Sequence, residues 1–141
     1  MSSTNCKFTL NLADGWQDRT VHYFMGPEEG GVEHALTLVV DPTPSSDDLE
    51  TYAHERAEQA IESLPVAEVV KDEAITLASG TPAYEVVIKW VPGEERPLFR
   101  RMIFLMAGET AYTFTADFSK RTLKTISVQV LEMISNFKPG V

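Results

Sequence analysis

Four strand-like segments follow one another between Glu68 and Phe118, and this run constrains the fold more than any other part of the chain. The segments are Glu68 to Leu77, Ala83 to Val91, Leu98 to Met106 and Thr110 to Phe118. Between them lie Ala78-Ser79-Gly80-Thr81-Pro82, Pro92-Gly93-Glu94-Glu95-Arg96-Pro97 and Ala107-Gly108-Glu109. Connections this short cannot carry a crossover, so consecutive strands must be antiparallel neighbours.

Upstream, Phe8, Leu10 and Leu12 alternate with Lys7, Thr9 and Asn11, which predicts a half-buried strand. Val21, Tyr23 and Met25 alternate with Thr20, His22 and Phe24, giving a second strand with large groups on both faces. Gly26 to Gly31 reads as a loop, and Ala35 to Val40 as a third strand, ended by Asp41-Pro42. Leu49, Tyr52, Ala53, Ala57, Ala60, Ile61 and Leu64 repeat at helical spacing, with Ser45 or Ser46 as the cap and Pro65 as the stop. A second helix is predicted from about Ser119 to Asn136, with Leu123, Ile126, Val130, Met133, Ile134 and Phe137 on one side. The order is βββαββββα. Two amphipathic helices need a sheet to cover, so the expected class is α+β, an antiparallel sheet with helices packed on it.

The chain has 141 residues, enough for one domain spanning 1–141 with a proper core. Its formal net charge is −9, the wrong sign for binding phosphate backbones or an anionic membrane surface. No apolar run approaches the roughly 18 residues of a spanning helix. Met1 to Lys7 lacks the charged and apolar regions of a secretory signal. Cys6 is the only cysteine and can form no intrachain disulfide. These points together lead to an expected cytoplasmic location.

Catalytic patterns are scarce. His22, His34 and His54 have no metal-ligand spacing and read as surface or boundary residues. The paired acids Asp47-Asp48, Asp72-Glu73 and Glu94-Glu95 should diverge from a strand or turn rather than converge in a cleft. No nucleophile elbow, phosphate loop or dinucleotide fingerprint occurs. The expectation is a non-enzyme without cofactor or metal. A cleft joining His22, His54 and carboxylates would argue otherwise.

The strand faces carry more. Tyr84, Val86, Ile88 and Trp90 share one face, and Tyr112, Phe114, Ala116 and Phe118 share another. Leu98, Arg100, Met102, Phe104 and Met106 alternate with Phe99, Arg101, Ile103 and Leu105. Both faces of the sheet are therefore partly apolar. A single helix layer would leave an exposed patch of the kind that marks binding sites. A helix on each face would bury everything.

Three segments carry a family resemblance. They are Asp14-Gly15-Trp16-Gln17-Asp18 with the strand after it, the helix from Tyr52 to Leu64-Pro65, and Pro97-Leu98-Phe99-Arg100-Arg101-Met102-Ile103-Phe104. The turn Asp14-Gly15 should set the Trp16 ring beside the first hairpin. This pattern resembles the DcrB-related proteins of the Mog1/PsbP-like fold, and within them the Eag chaperones of bacterial type VI secretion. The resemblance implies a cytoplasmic, homodimeric chaperone that shields the hydrophobic N-terminal helices of an effector before export. It implies no nucleic-acid partner and no stable membrane insertion. The implied client-binding residues are Val21 and Tyr23 on the second strand, Arg56 on the helix and Arg101 on the penultimate strand. Arginine stands where the family pattern calls for glutamine, bringing a charge and no acceptor. The alternative is a DcrB-like non-enzymatic module for a small apolar ligand or an unknown protein partner, which a deep closed pocket would favour.

Overall fold

The computed structural model describes residues 9–17, 19–29, 31–93 and 96–139. Its elements are β1 (Thr20–Glu29), β2 (Val32–Asp41), α1 (Leu49–Ser63), β3 (Glu68–Thr76), β4 (Pro82–Trp90), β5 (Leu98–Ala107), β6 (Thr110–Ser119) and α2 (Ile126–Ser135). A short 3₁₀ turn, Thr122–Lys124, precedes α2. The strands form one antiparallel sheet in the order β1-β2-β6-β5-β4-β3. This is the α+β arrangement expected from the sequence, and β3 to β6 follow the predicted segments to within a residue or so.

The upstream third differs in detail. Phe8 lies outside the described residues, and residues 9–13 adopt no regular structure, with Leu10 70% and Leu12 45% exposed. Alternation there has no sheet surface to pack on, and a strand is stable only against one. Trp16 follows a tight turn at Gly15, whose φ is +89°, and its ring is 73% exposed rather than packed on a hairpin. Conversely, β1 runs through the Gly26-Pro27 segment that reads as a loop. The register slips between Met25 and Glu28, and this bulge accommodates a proline that cannot donate to the ladder.

Helix α1 is capped by Asp48, not by Ser45 or Ser46: an Asp48 carboxylate oxygen accepts from the Thr51 amide at 3.1 Å. Ser46 accepts instead from the Asp48 amide. Helix α2 starts later than its pattern suggests. Ser119 and Thr122 exchange backbone-to-hydroxyl bonds at 2.9 and 3.1 Å, which holds that stretch in a turn.

Each helix covers a different face. Tyr52, Ala53 and Ala57 of α1 lie on Tyr84, Val86, Ile88, Met102 and Phe104. Ile126, Val130 and Ile134 of α2 lie on Leu36, Leu38, Ile103, Leu105, Phe114 and Phe118. The two clusters use alternate residues of β5, so the sheet is sandwiched. Small alanines let α1 sit close, and the Tyr52 ring meets Phe104 edge-on at 6.2 Å.

Val66, just after α1, sits at φ +51°, a region that penalises a β-branched side chain by about 1 kcal/mol or more. Its side chain is 78% exposed, so little packing is at stake. Val66→Asn is expected to raise stability by about 1 kcal/mol, read as a higher urea midpoint at unchanged slope.

Candidate functional site

The α1 face of the sheet is only half covered. Helix α1 lies over β4 and β5. On β1, the side chains on the α1 side are Val21, Tyr23 and Met25, which are 57%, 65% and 83% exposed. Their cross-strand partners are Val39, Thr37 and Ala35, and Thr37 in turn faces Thr115. An open groove of about 450 Å³ runs along this strip, lined by Tyr23, Glu33, Thr37, Arg100, Thr115 and Asp117 among others. Its lining mixes apolar, hydroxyl and paired charged groups.

Ion pairs stand at both ends of this strip. At one end, Arg100 makes a fork to Asp117, with Nε to Oδ1 and Nη2 to Oδ2 both at 3.0 Å. The two residues are directly opposite in the ladder, and Trp90 Nε1 donates to the same carboxylate at 3.2 Å. The guanidinium also stacks over the Trp90 ring, 5.5 Å from its centroid. At the other end, buried Asp41 accepts from Tyr52 Oη and from Arg56 Nη2, each at 3.1 Å. Arg19 Nη2 lies 3.6 Å from the same oxygen. One carboxylate thus serves two guanidinium groups.

The residues predicted from the resemblance separate accordingly. Val21, Tyr23 and Arg56 share the α1 face. Arg101 points to the α2 face, as its adjacency to Arg100 on a strand requires. There its Nη1 donates to Ser127 Oγ at 2.6 Å, and its Nε lies 2.9 Å from Glu85 Oε2 without hydrogen-bond geometry. Lys71 Nζ reaches Glu85 at 2.7 Å and Glu73 at 3.2 Å. Arg100, not singled out from the sequence, is the arginine of β5 on the groove side. Its parity with Met102 and Phe104 was visible; which face stays open was not.

The histidines are dispersed. His34 is buried, against expectation, because both ring nitrogens are satisfied: Nδ1 donates to the Pro27 carbonyl at 2.9 Å and Nε2 lies 3.0 Å from Thr122 Oγ1. His22 is on the α2 side of β1, beside Phe24. His54, on α1, meets Asp72 Oδ1 at 3.0 Å, and Tyr84 donates to that same oxygen. As expected for adjacent acids on a strand, Asp72 and Glu73 diverge to opposite faces. Cys6 and the Glu94-Glu95 pair lie outside the described residues. Among the described residues, no group of three or more His, Cys, Asp or Glu side chains is placed to hold a metal.

The His54 cluster pins α1 to β3 and β4. The bond to Asp72 raises the His54 pKa above its ordinary 6.5. Bonds from Tyr84 and then His54 lower the Asp72 pKa below 3.8, and Asp72 in turn pushes the Tyr84 phenol up, keeping it protonated. That suits a structural clasp rather than a base.

The DcrB family model matches residues 8–135, and the chain belongs to the DcrB family. PA94 of Pseudomonas aeruginosa, a proposed regulator of unknown function, superposes with a TM-score of 0.72 at 21% identity, over 94% of this chain and 91% of that one. CyanoP, the PsbP protein of Synechocystis sp. PCC 6803, superposes with a TM-score of 0.51 at 13% identity, over 89% and 95%. The fold is thus PsbP-like. A comparison with curated proteins finds no significant match. Among the described residues, no helix is long and apolar enough to cross a membrane.

The clasp has a signed pH dependence. The raised His54 pKa contributes stability that is complete below pH 6.5 and is lost as pH rises through the raised value. The lowered Asp72 pKa contributes stability present above pH 3.8 and lost as pH falls through the lowered value. The window of full effect is therefore about pH 3.8 to 6.5. In an NMR titration, the His54 midpoint is expected above 6.5 and should fall in Asp72→Asn; an unmoved midpoint would break the assignment.

Proposed function

We propose that this chain is a cytoplasmic, homodimeric chaperone or adaptor that binds the hydrophobic N-terminal helices of a type VI secretion effector and shields them before export. The observation that carries this reading is the uncovered apolar strip of β1 and β2, where Val21, Tyr23 and Met25 stand in solvent beside a groove. Such a strip gains by covering, at about 25 cal/mol for each Å² of apolar surface removed from water. Helix α1 bounds it on one side, leaving room for another helix to lie alongside.

The groove chemistry suits a helix that carries a few polar groups on an apolar face. The hydroxyls of Tyr23, Thr37 and Thr115 can give and accept hydrogen bonds, as side chains do between helices inside a membrane. Val21 and Tyr23 supply apolar contact, and Arg56 and Arg100 close the ends. Arg101 has no place in this groove; its role is to join β5 to β4 and α2. Among the described strands β1 stands at the edge of the sheet, the place where a second copy can pair. The class of client comes from the resemblance of Asp14 to Asp18 and Pro97 to Phe104 to the Eag proteins, together with membership of the DcrB family.

Co-expression with the apolar N-terminal region of an effector encoded beside this gene, followed by pull-down, tests the reading. A stable complex is expected, with recovery reduced at least tenfold by Val21→Asp. A folded native protein that retains no apolar helix would overturn it, as would a complex indifferent to both Val21→Asp and Tyr23→Asp.

A further inference from the structure

The opposite face holds a second cavity, independent of the groove and of the chaperone reading. It lies between the bulged end of β1 and helix α2 and has a volume of about 270 Å³. Its walls include Phe24, Leu36, Phe118, Ile126 and Val130, with Met133 and Gln129 contributed by α2. We propose that this cavity is a binding site for an uncharged, apolar small molecule of one or two rings or a short alkyl chain.

Three observations carry the proposal. The first is size and lining. An enclosed apolar cavity of about 150 Å³ takes up benzene; this half-open pocket of about 270 Å³ has the volume for a two-ring compound, just below the usual range of small-molecule sites.

The second is that the cavity is built. His34 braces both walls at once, holding the Pro27 carbonyl of the β1 bulge and the Thr122 hydroxyl before α2. Gly26 sits so close to β2 at the bulge that a Cβ there would lie 3.3 Å from the His34 carbonyl oxygen. Thr125 Oγ1 donates to Glu29 at 2.7 Å and ties the start of α2 to the end of β1. Both His34 nitrogens are used in this bracing, so the ring presents no free polar atom as a ligand partner.

The third is charge. Among the described residues, no charged side chain lines the cavity. The residues next in sequence to Pro27 and Met133 include Glu28 and Glu132, and the chain carries a net −9. The acidic balance of the chain favours an uncharged guest over a carboxylate or phosphate. Met133, 55% exposed, gives a flexible thioether at the rim that can close over an apolar guest.

Titration of the full chain with N-phenyl-1-naphthylamine, an uncharged fluorescent probe, tests this. Saturable one-to-one binding is expected. Met133→Asp at the rim and Val130→Phe, which fills the cavity, should each weaken it at least tenfold, whereas Tyr23→Asp on the other face should retain it. Octanol should displace the probe and octanoate should not. Circular dichroism checks the fold of each variant, and Met133→Asp, at an exposed position, decides the matter if Val130→Phe fails to fold. Absence of saturable binding, binding abolished by Tyr23→Asp but kept in the cavity variants, or equal displacement by octanoate would overturn the proposal.

Discussion

The governing constraint is a mismatch of widths. Six strands at about 4.8 Å spacing make a sheet about 24 Å across, and both of its faces carry apolar side chains. A helix is about 10 Å wide. One helix per face therefore covers two or three strands and leaves the rest. Here α1 is set toward β4 and β5, and α2 toward β6 and β2. The two helices are offset on the two faces, so the uncovered strips lie at opposite edges of the sheet.

The strips are finished in different ways. On the α2 side, the far edge is closed by charge: Lys71, Glu73, Glu85 and Arg101 form a chain of ion pairs that ends on Ser127 of α2. Glu85 is buried in that chain, and leaving it unpaired would be costly. On the α1 side, the far edge has valine, tyrosine, methionine and threonine, and among the described residues its ion pairs stand at the ends. A strip made of charges solvates itself, whereas an apolar strip gains from a partner. The candidate site follows from that difference rather than from any catalytic grouping.

Much of this was legible in the chain. The strands from β3 to β6, both helices, and the alternation that puts Ile103 and Phe104 on different faces could be read from the periodicity. The choice between one helix layer and two could not, because it depends on how far each helix lies from the sheet centre. That offset decides which arginine of the Arg100-Arg101 pair faces the groove. Burial of His34 was hidden for a related reason: its partners, Pro27 and Thr122, are far apart in sequence and meet only through the β1 bulge and the turn before α2. The alternating segment around Leu10 and Leu12 misled, since a strand pattern needs a neighbour to pair with. The exposed Trp16 shows the same limit: a turn fixes where a ring starts, not what it packs against.

Hydroxyl-radical footprinting of the protein, alone and with an apolar helical peptide bound, shows whether the β1 strip is the surface that a client covers. Tyr23 and Met25 are expected to react readily in the free protein and to be protected in the complex, while Met133 on the other face is unchanged. Protection confined to Met133, or none at Tyr23 and Met25 in a saturated complex, would contradict it.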